Sequence, residues 1–105
     1  MDKIDPTAID TRDTGKEYSF VTVIGNDRKG IVAKVSTLLY EHNINIEDIA
    51  QKVMQGHFVM IMMVDFSDSP SDLEDLKAAF DKIGQEMGLH IQIQHESLFK
   101  TMHRI

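Results

Sequence analysis

The segment Gly25-Asn26-Asp27-Arg28-Lys29-Gly30 separates two incompatible periodicities. Before it, Tyr18-Ser19-Phe20-Val21-Thr22-Val23-Ile24 is rich in β-branched and aromatic residues and reads as a strand. After it, Ile31, Val32, Val35, Leu38 and Leu39 recur at i, i+1, i+4, i+7 and i+8, one apolar face of a 3.6-residue period. A strand that passes this quickly into a helix commits the fold to mixed α and β structure. The helix also starts at a glycine, so no side chain blocks the free N–H groups of its first turn. Those amides and the helix dipole both favour a small anion.

The remaining segments complete the pattern. His42-Asn43 supply a helix end, because asparagine tolerates the left-handed conformation. Ile44, Ile46 and Ile49 open a second strand that continues through Gln51-Lys52-Val53-Met54. Its even spacing breaks between Ile46 and Ile49, which predicts a bulge near Glu47-Asp48. Gln55-Gly56 reads as a hairpin turn. The third strand, His57 to Phe66, is apolar at nearly every position and is expected to be covered on both faces. Helices of a short chain cover one face, so the other is expected to meet a partner subunit.

A loop from Ser67 to Ser71 leads to a second helix, started either by Ser69 with Pro70 or by a Ser71–Glu74 capping box. Leu73, Leu76, Phe80, Ile83 and Met87 form its apolar stripe, and Gly88 ends it. Leu89 to His95 alternates as a fourth strand. Leu98, Phe99, Met102 and Ile105 predict a short terminal helix. Residues 1–17 are polar and aperiodic and read as a flexible tail before a domain spanning 18–105. The order β-α-β-β-α-β defines an α+β fold, the ferredoxin-like sandwich of four antiparallel strands under two helices.

Composition narrows the function. The chain has 105 residues, a single domain by length, and an ordinary apolar fraction of 42%. It holds no cysteine, which excludes disulfides, thiolate metal sites and cysteine nucleophiles, and favours the cytoplasm. No apolar signal-peptide core follows Met1, and no window approaches the roughly 18 continuous apolar residues of a membrane span. A net charge of −6 with scattered basic residues disfavours nucleic-acid binding.

Specific chemistries fail on specific residues. Gly25-x4-Gly30 is followed by Ile31-Val32 where a nucleotide phosphate loop needs Lys and then Ser or Thr. The third strand lacks the paired aromatics of an RNA-recognition sheet. No Cys-x2-Cys loop serves copper, and the pattern around Arg28 differs from that of an acylphosphatase-like anion cradle. The five histidines, His42, His57, His90, His95 and His103, show no metal-ligand spacing. Ser36, Ser97 and the other hydroxyls have no adjacent base in the sequence. The chain is therefore read as non-catalytic, with neither metal nor cofactor.

Asp27-Arg28-Lys29-Gly30-Ile31-Val32 opening a helix, followed by Asn43-Ile44-Asn45-Ile46-Glu47-Asp48-Ile49 leading into the second strand, resembles the ACT domain. The resemblance covers Tyr18 to His95. The ending Leu98 to Ile105 is similar to that of a stand-alone single-ACT family of bacterial and archaeal proteins. The resemblance implies a homodimeric regulatory module that binds an amino acid near the subunit interface. It places the ligand between the first strand–helix loop and the start of the second strand. On that basis Asn26, Asp27, Gly30 and Ile31 in the loop, with Asn45 in the second strand, are the expected ligand-binding residues. Some ACT domains only dimerise, so a dimeric scaffold for a protein partner is the alternative.

Overall fold

The computed structural model of the protein describes residues 17–97. The expected terminal helix from Leu98 to Ile105 and nearly all of the expected tail lie outside the described residues. The elements run β1 (Tyr18–Asn26), α1 (Ile31–Glu41), β2 (Asn45–Met54), β3 (His57–Asp65), α2 (Leu73–Met87) and β4 (Leu89–His95). All strand pairs are antiparallel, and the order across the four-stranded sheet is β2-β3-β1-β4. This is the ferredoxin-like arrangement. Glu17 adjoins it: its carbonyl accepts the Phe66 N–H at 2.9 Å.

The core lies between the sheet and the helices. Val21 and Val23 of β1, Met60, Met62 and Val64 of β3, and Ile91 and Ile93 of β4 point toward Val35 and Leu39 of α1 and Leu76 and Phe80 of α2. Ile46 and Ile49 share this face although three residues separate them. The register against β3 shifts between Ile46 and Asp48, so Ile46 stands opposite Val64 and Ile49 opposite Met62. The bulge inserts one residue and puts both isoleucines over the core.

The expectation for β3 needs refinement. Phe58, Met60, Met62 and Val64 are buried under the helices, whereas Val59, Ile61 and Met63 on the opposite face are half-buried by the single chain. Flanking strands shield this central strand from the sides, which accounts for the part of the outer row that one chain covers.

Local chemistry sets the helix ends. Asn43 has φ 57°, as its tolerance of the left-handed region predicts, and α2 stops at Gly88. The start of α2 corrects the sequence reading: Asp72, not a serine, is the N-cap, its Oδ1 accepting the Asp75 N–H at 2.9 Å. The serines are used elsewhere. The Ser71 hydroxyl shares a 2.8 Å hydrogen bond with His42 Nδ1, and Ser69 Oγ accepts the Ser71 N–H. Asp72→Ala is expected to cost about 1 kcal/mol, lowering the melting temperature by about 4–8 °C in a calorimetric scan. Ser71→Ala leaves that cap intact.

Candidate functional site

The loop from Asn26 to Gly30 is held at three points. Asn26 is the last residue of β1 and stands opposite His57. The Asp27 N–H donates to the Gly56 carbonyl at 2.8 Å, which ties the loop to the β2–β3 turn. Gln55 and Gly56 both have positive φ, 51° and 82°, the primed geometry that a two-residue hairpin favours. The Arg28 guanidinium donates to the Met87 carbonyl at 3.3 Å, at the C-terminal end of α2. A cation beside those carbonyls also complements the helix dipole.

Gly30 is the N-cap of α1 and has φ 88°. A Cβ at this position would meet nothing within 4 Å. The glycine is therefore present for its backbone conformation rather than for close packing of helix on strand. The first helical bond runs from the Lys34 N–H to the Gly30 carbonyl at 2.9 Å. The N–H groups of Ile31, Val32 and Ala33 precede it and have no helical acceptor. No side chain caps this end and its first turn carries no acidic residue. In contrast, α2 starts with a capping Asp72 followed by Glu74 and Asp75. The positive end of α1 thus remains uncompensated by its own residues. A groove of about 650 Å³ between α1 and α2, lined by Ala33, Thr37, Leu38 and Ile83 among others, reaches Gly30.

The expected site residues do not all converge. Asn26, Asp27, Gly30 and Ile31 lie together, but Ile31 is only 2% exposed and offers a ligand its backbone alone. Asn45 lies at the other end of the sheet. It stands opposite Asp65, whereas the loop stands beside His57 and the end of β2 at Met54. Nine residues of strand at about 3.3 Å each separate Asn45 from Met54, roughly 30 Å. A single chain cannot place both halves on one small molecule. Asn45 donates instead to Glu47 Oε2 at 3.3 Å, beside a shallow cavity with Tyr40, Asn43 and Asp68.

Other positions were not visible beforehand. The sequence assigns Val32 to the buried face of α1, yet it is exposed, as is Tyr40 at 82%. With Ser36 they form an i, i+4, i+8 stripe on the flank away from α2. The spacing was present in the sequence, but an apolar residue beside a core face is easily counted into it. Ser97 also has a base beside it after all: its Oγ lies 2.9 Å from His95 Nδ1, and Glu17 Oε2 lies 3.0 Å from Nε2. The Ser97 N–H donates to the same Nδ1 at 3.2 Å, so the imidazole closes a turn while pinning Glu17. Phe66 meets the ring edge-on at 6.3 Å. Among the described residues no group of three or more His, Asp or Glu could hold a metal ion, and no helix is long and apolar enough to cross a membrane.

The family model for the ACT domain matches residues 17–94. A UPF0237 protein of Methanocaldococcus jannaschii is 51% identical over 85 residues, which are 81% of this chain and 94% of that protein. Among solved structures, an ACT domain protein from Streptococcus pneumoniae superposes with a TM-score of 0.70 at 37% identity. The overlap covers 80% of this chain and 94% of the pneumococcal one. A formyltetrahydrofolate deformylase from Pseudomonas syringae gives a TM-score of 0.73 at 29% identity, but over only 29% of its own length. The chain belongs to the ACT domain family, whose members typically serve regulatory ligand binding, and within that family to the UPF0237 proteins.

Proposed function

We propose that this protein is a cytoplasmic, non-catalytic regulatory module that binds an amino acid or a related small carboxylate as a homodimer. The observation that carries the reading is the bare amino-terminal end of α1, opened by Gly30 and left without a side-chain cap or an acidic residue in its first turn. A carboxylate there accepts hydrogen bonds from the Ile31, Val32 and Ala33 amides and neutralises the helix end. Asn26 and Asp27 border the same loop, and Asp27 carries the charge that suits an ammonium group. Asn45 joins such a ligand only from a second subunit, since its own chain keeps it roughly 30 Å away. A ligand bridging two subunits favours one dimer geometry over others, which supplies the regulatory output. The cysteine-free composition suits a reducing compartment.

A thermal-shift screen across the amino acids tests this. A ligand at one hundred times its Kd stabilises by about 2.7 kcal/mol and raises the melting temperature by roughly 10–20 °C. Should no amino acid move the melting temperature, the protein is instead a dimeric scaffold, and a stoichiometric protein partner is the expected finding.

A further inference from the structure

The outer face of the sheet, away from the helices, is covered unevenly. Val21 and Val23 of β1 point to the core, so Tyr18, Phe20, Thr22 and Ile24 point to the outer face. Phe20 is nevertheless 0% exposed and Tyr18 8%, whereas Ile24 on the same face is 44% exposed. Neighbours within the sheet do not account for the difference. Phe20 is flanked by Met63 and Gln94, and Ile24 by Val59 and His90, so each has a strand on either side. Cross-strand neighbours shield a side chain laterally, but its tip is closed off only by a layer above the sheet. Here the larger side chain is the one wholly hidden. A layer therefore lies over the Phe20 end of the face and stops short of Ile24 and of exposed Gln92. This burial is that of a single chain, so the layer belongs to the same chain.

The chain leaves the sheet at that corner. β4 ends at His95, opposite Ser19 and therefore beside Phe20, and Glu96 and Ser97 have already turned into helix. His95 Nδ1 accepts the Ser97 N–H at 3.2 Å, two residues on, as an N-cap side chain does. Glu96 Oε2 is buried with no hydrogen-bond partner among the described residues. Eight residues follow, and Leu98, Phe99, Met102 and Ile105 among them fall on one face of a helical period. As a helix, Glu96 to Ile105 measures about 15 Å, against about 14 Å across the three strand spacings of the sheet. Lys100 and Arg104 are its charged residues beyond Ser97, and this end of the sheet carries Glu17, Asp65 and Glu96. Residues 1–16 fit less well, since they have no apolar period and carry Asp2, Asp5, Asp10 and Asp13.

We propose that the outer face of the sheet is the docking site of the chain's own last eight residues, Leu98 to Ile105, laid across it as an amphipathic helix with Phe99 over Phe20 and Met102 toward Met63. The segment continues the turn of helix begun at Glu96 and crosses from β4 toward β2. Burying its apolar stripe supplies the driving force. The outer row of β3 is then covered from within, rather than by a partner subunit as its composition suggested. A homodimer joins through another surface, and the ligand seat at α1 is unaffected.

Thiol labelling tests this, because the chain has no cysteine of its own. Met63→Cys stands opposite Phe20, and His90→Cys stands on the exposed end of the same face. In the full-length chain Met63→Cys is expected to react with a maleimide about tenfold or more slowly than His90→Cys. Ending the chain after Ser97 is expected to bring the two rates within about threefold, while Val21→Cys in the core stays protected in both chains. Should reactive Val21→Cys reveal that the shortened chain does not fold, Phe99→Asp in the full-length chain gives the same reading. Nuclear Overhauser contacts between the Phe99 and Phe20 rings are expected independently. The proposal is overturned if Met63→Cys stays equally protected in both the shortened chain and Phe99→Asp. It is equally overturned if protection is lost on removing residues 1–16 instead, or if it falls on dilution, which assigns the face to a second copy. No ligand is added in any of these readings, so a failed amino-acid screen and a failed docking test are separate results.

Discussion

Gly84→Ala is expected to destabilise the protein by about 2–3 kcal/mol, although alanine is the better helix former by about 1 kcal/mol. Gly84 is buried in α2 where the helix rests on the start of β4. A Cβ there would lie 2.6 Å from the Leu89 carbonyl oxygen. That atom is backbone in a strand paired with β1 through Gly25, so it cannot swing aside like the end of a side chain. The helix must lift, which loosens Phe80 and Ile83 in the core. The melting temperature is expected to fall by roughly 8–20 °C, against almost no change for Gln85→Ala on the exposed side of the same turn. An unchanged melting temperature for Gly84→Ala would place α2 farther from the Leu89 carbonyl than a 2.6 Å approach of the added Cβ implies.

The second large effect concerns binding. Gly30→Val is expected to abolish the thermal response to the amino acid ligand and to cost about 1–2 kcal/mol in stability. The cost arises from φ 88°, a left-handed conformation that a β-branched residue adopts poorly. It does not arise from crowding, because nothing lies within 4 Å of the new Cβ. The loss of binding is expected from a different cause: the branched side chain projects into open space beside the first helical turn, where the ligand would sit. Gly30→Asn separates the two effects, since asparagine tolerates the left-handed region and restores most of the stability. Titration calorimetry on both variants decides the matter. Full binding by a folded Gly30→Val protein would remove the α1 amides as the carboxylate seat.

Much of the fold was legible because its signals are local. The period change across Gly25 to Gly30, the left-handed Asn43, the turn at Gln55-Gly56 and the stop at Gly88 each depend on residues a few positions apart. Even the bulge at Glu47 could be read, because Ile46 and Ile49 cannot share a face without an inserted residue. The cap of α2 was misread for a reason equally local. Ser69, Ser71 and Asp72 all have side-chain oxygens fit for an N-cap, and the choice among them fell to a distant residue. His42, on the far side of a loop, takes the Ser71 hydroxyl and leaves Asp72 to hold the helix.

The candidate site divides along the same line. Gly30 and its neighbours were recognisable because a helix beginning at a glycine has predictable orphan amides. Asn45 was joined to them by resemblance alone, and within one chain it stands at the opposite end of β2. Val32 shows the limit from another direction. Its i+1 position beside Ile31 fits an apolar face, but only the positions of α2 and the sheet reveal that this flank of α1 faces outward.

The amino-acid sequence by itself determined the elements, their order and the open start of α1, because backbone preferences and periodicity act between near neighbours along the chain. Only the tertiary structure decided which apolar residues are left uncovered, how far Asn45 stands from the loop, and why Gly84 admits no side chain. These are distances between segments remote in sequence, set by strand rise, register and the thickness of packed layers.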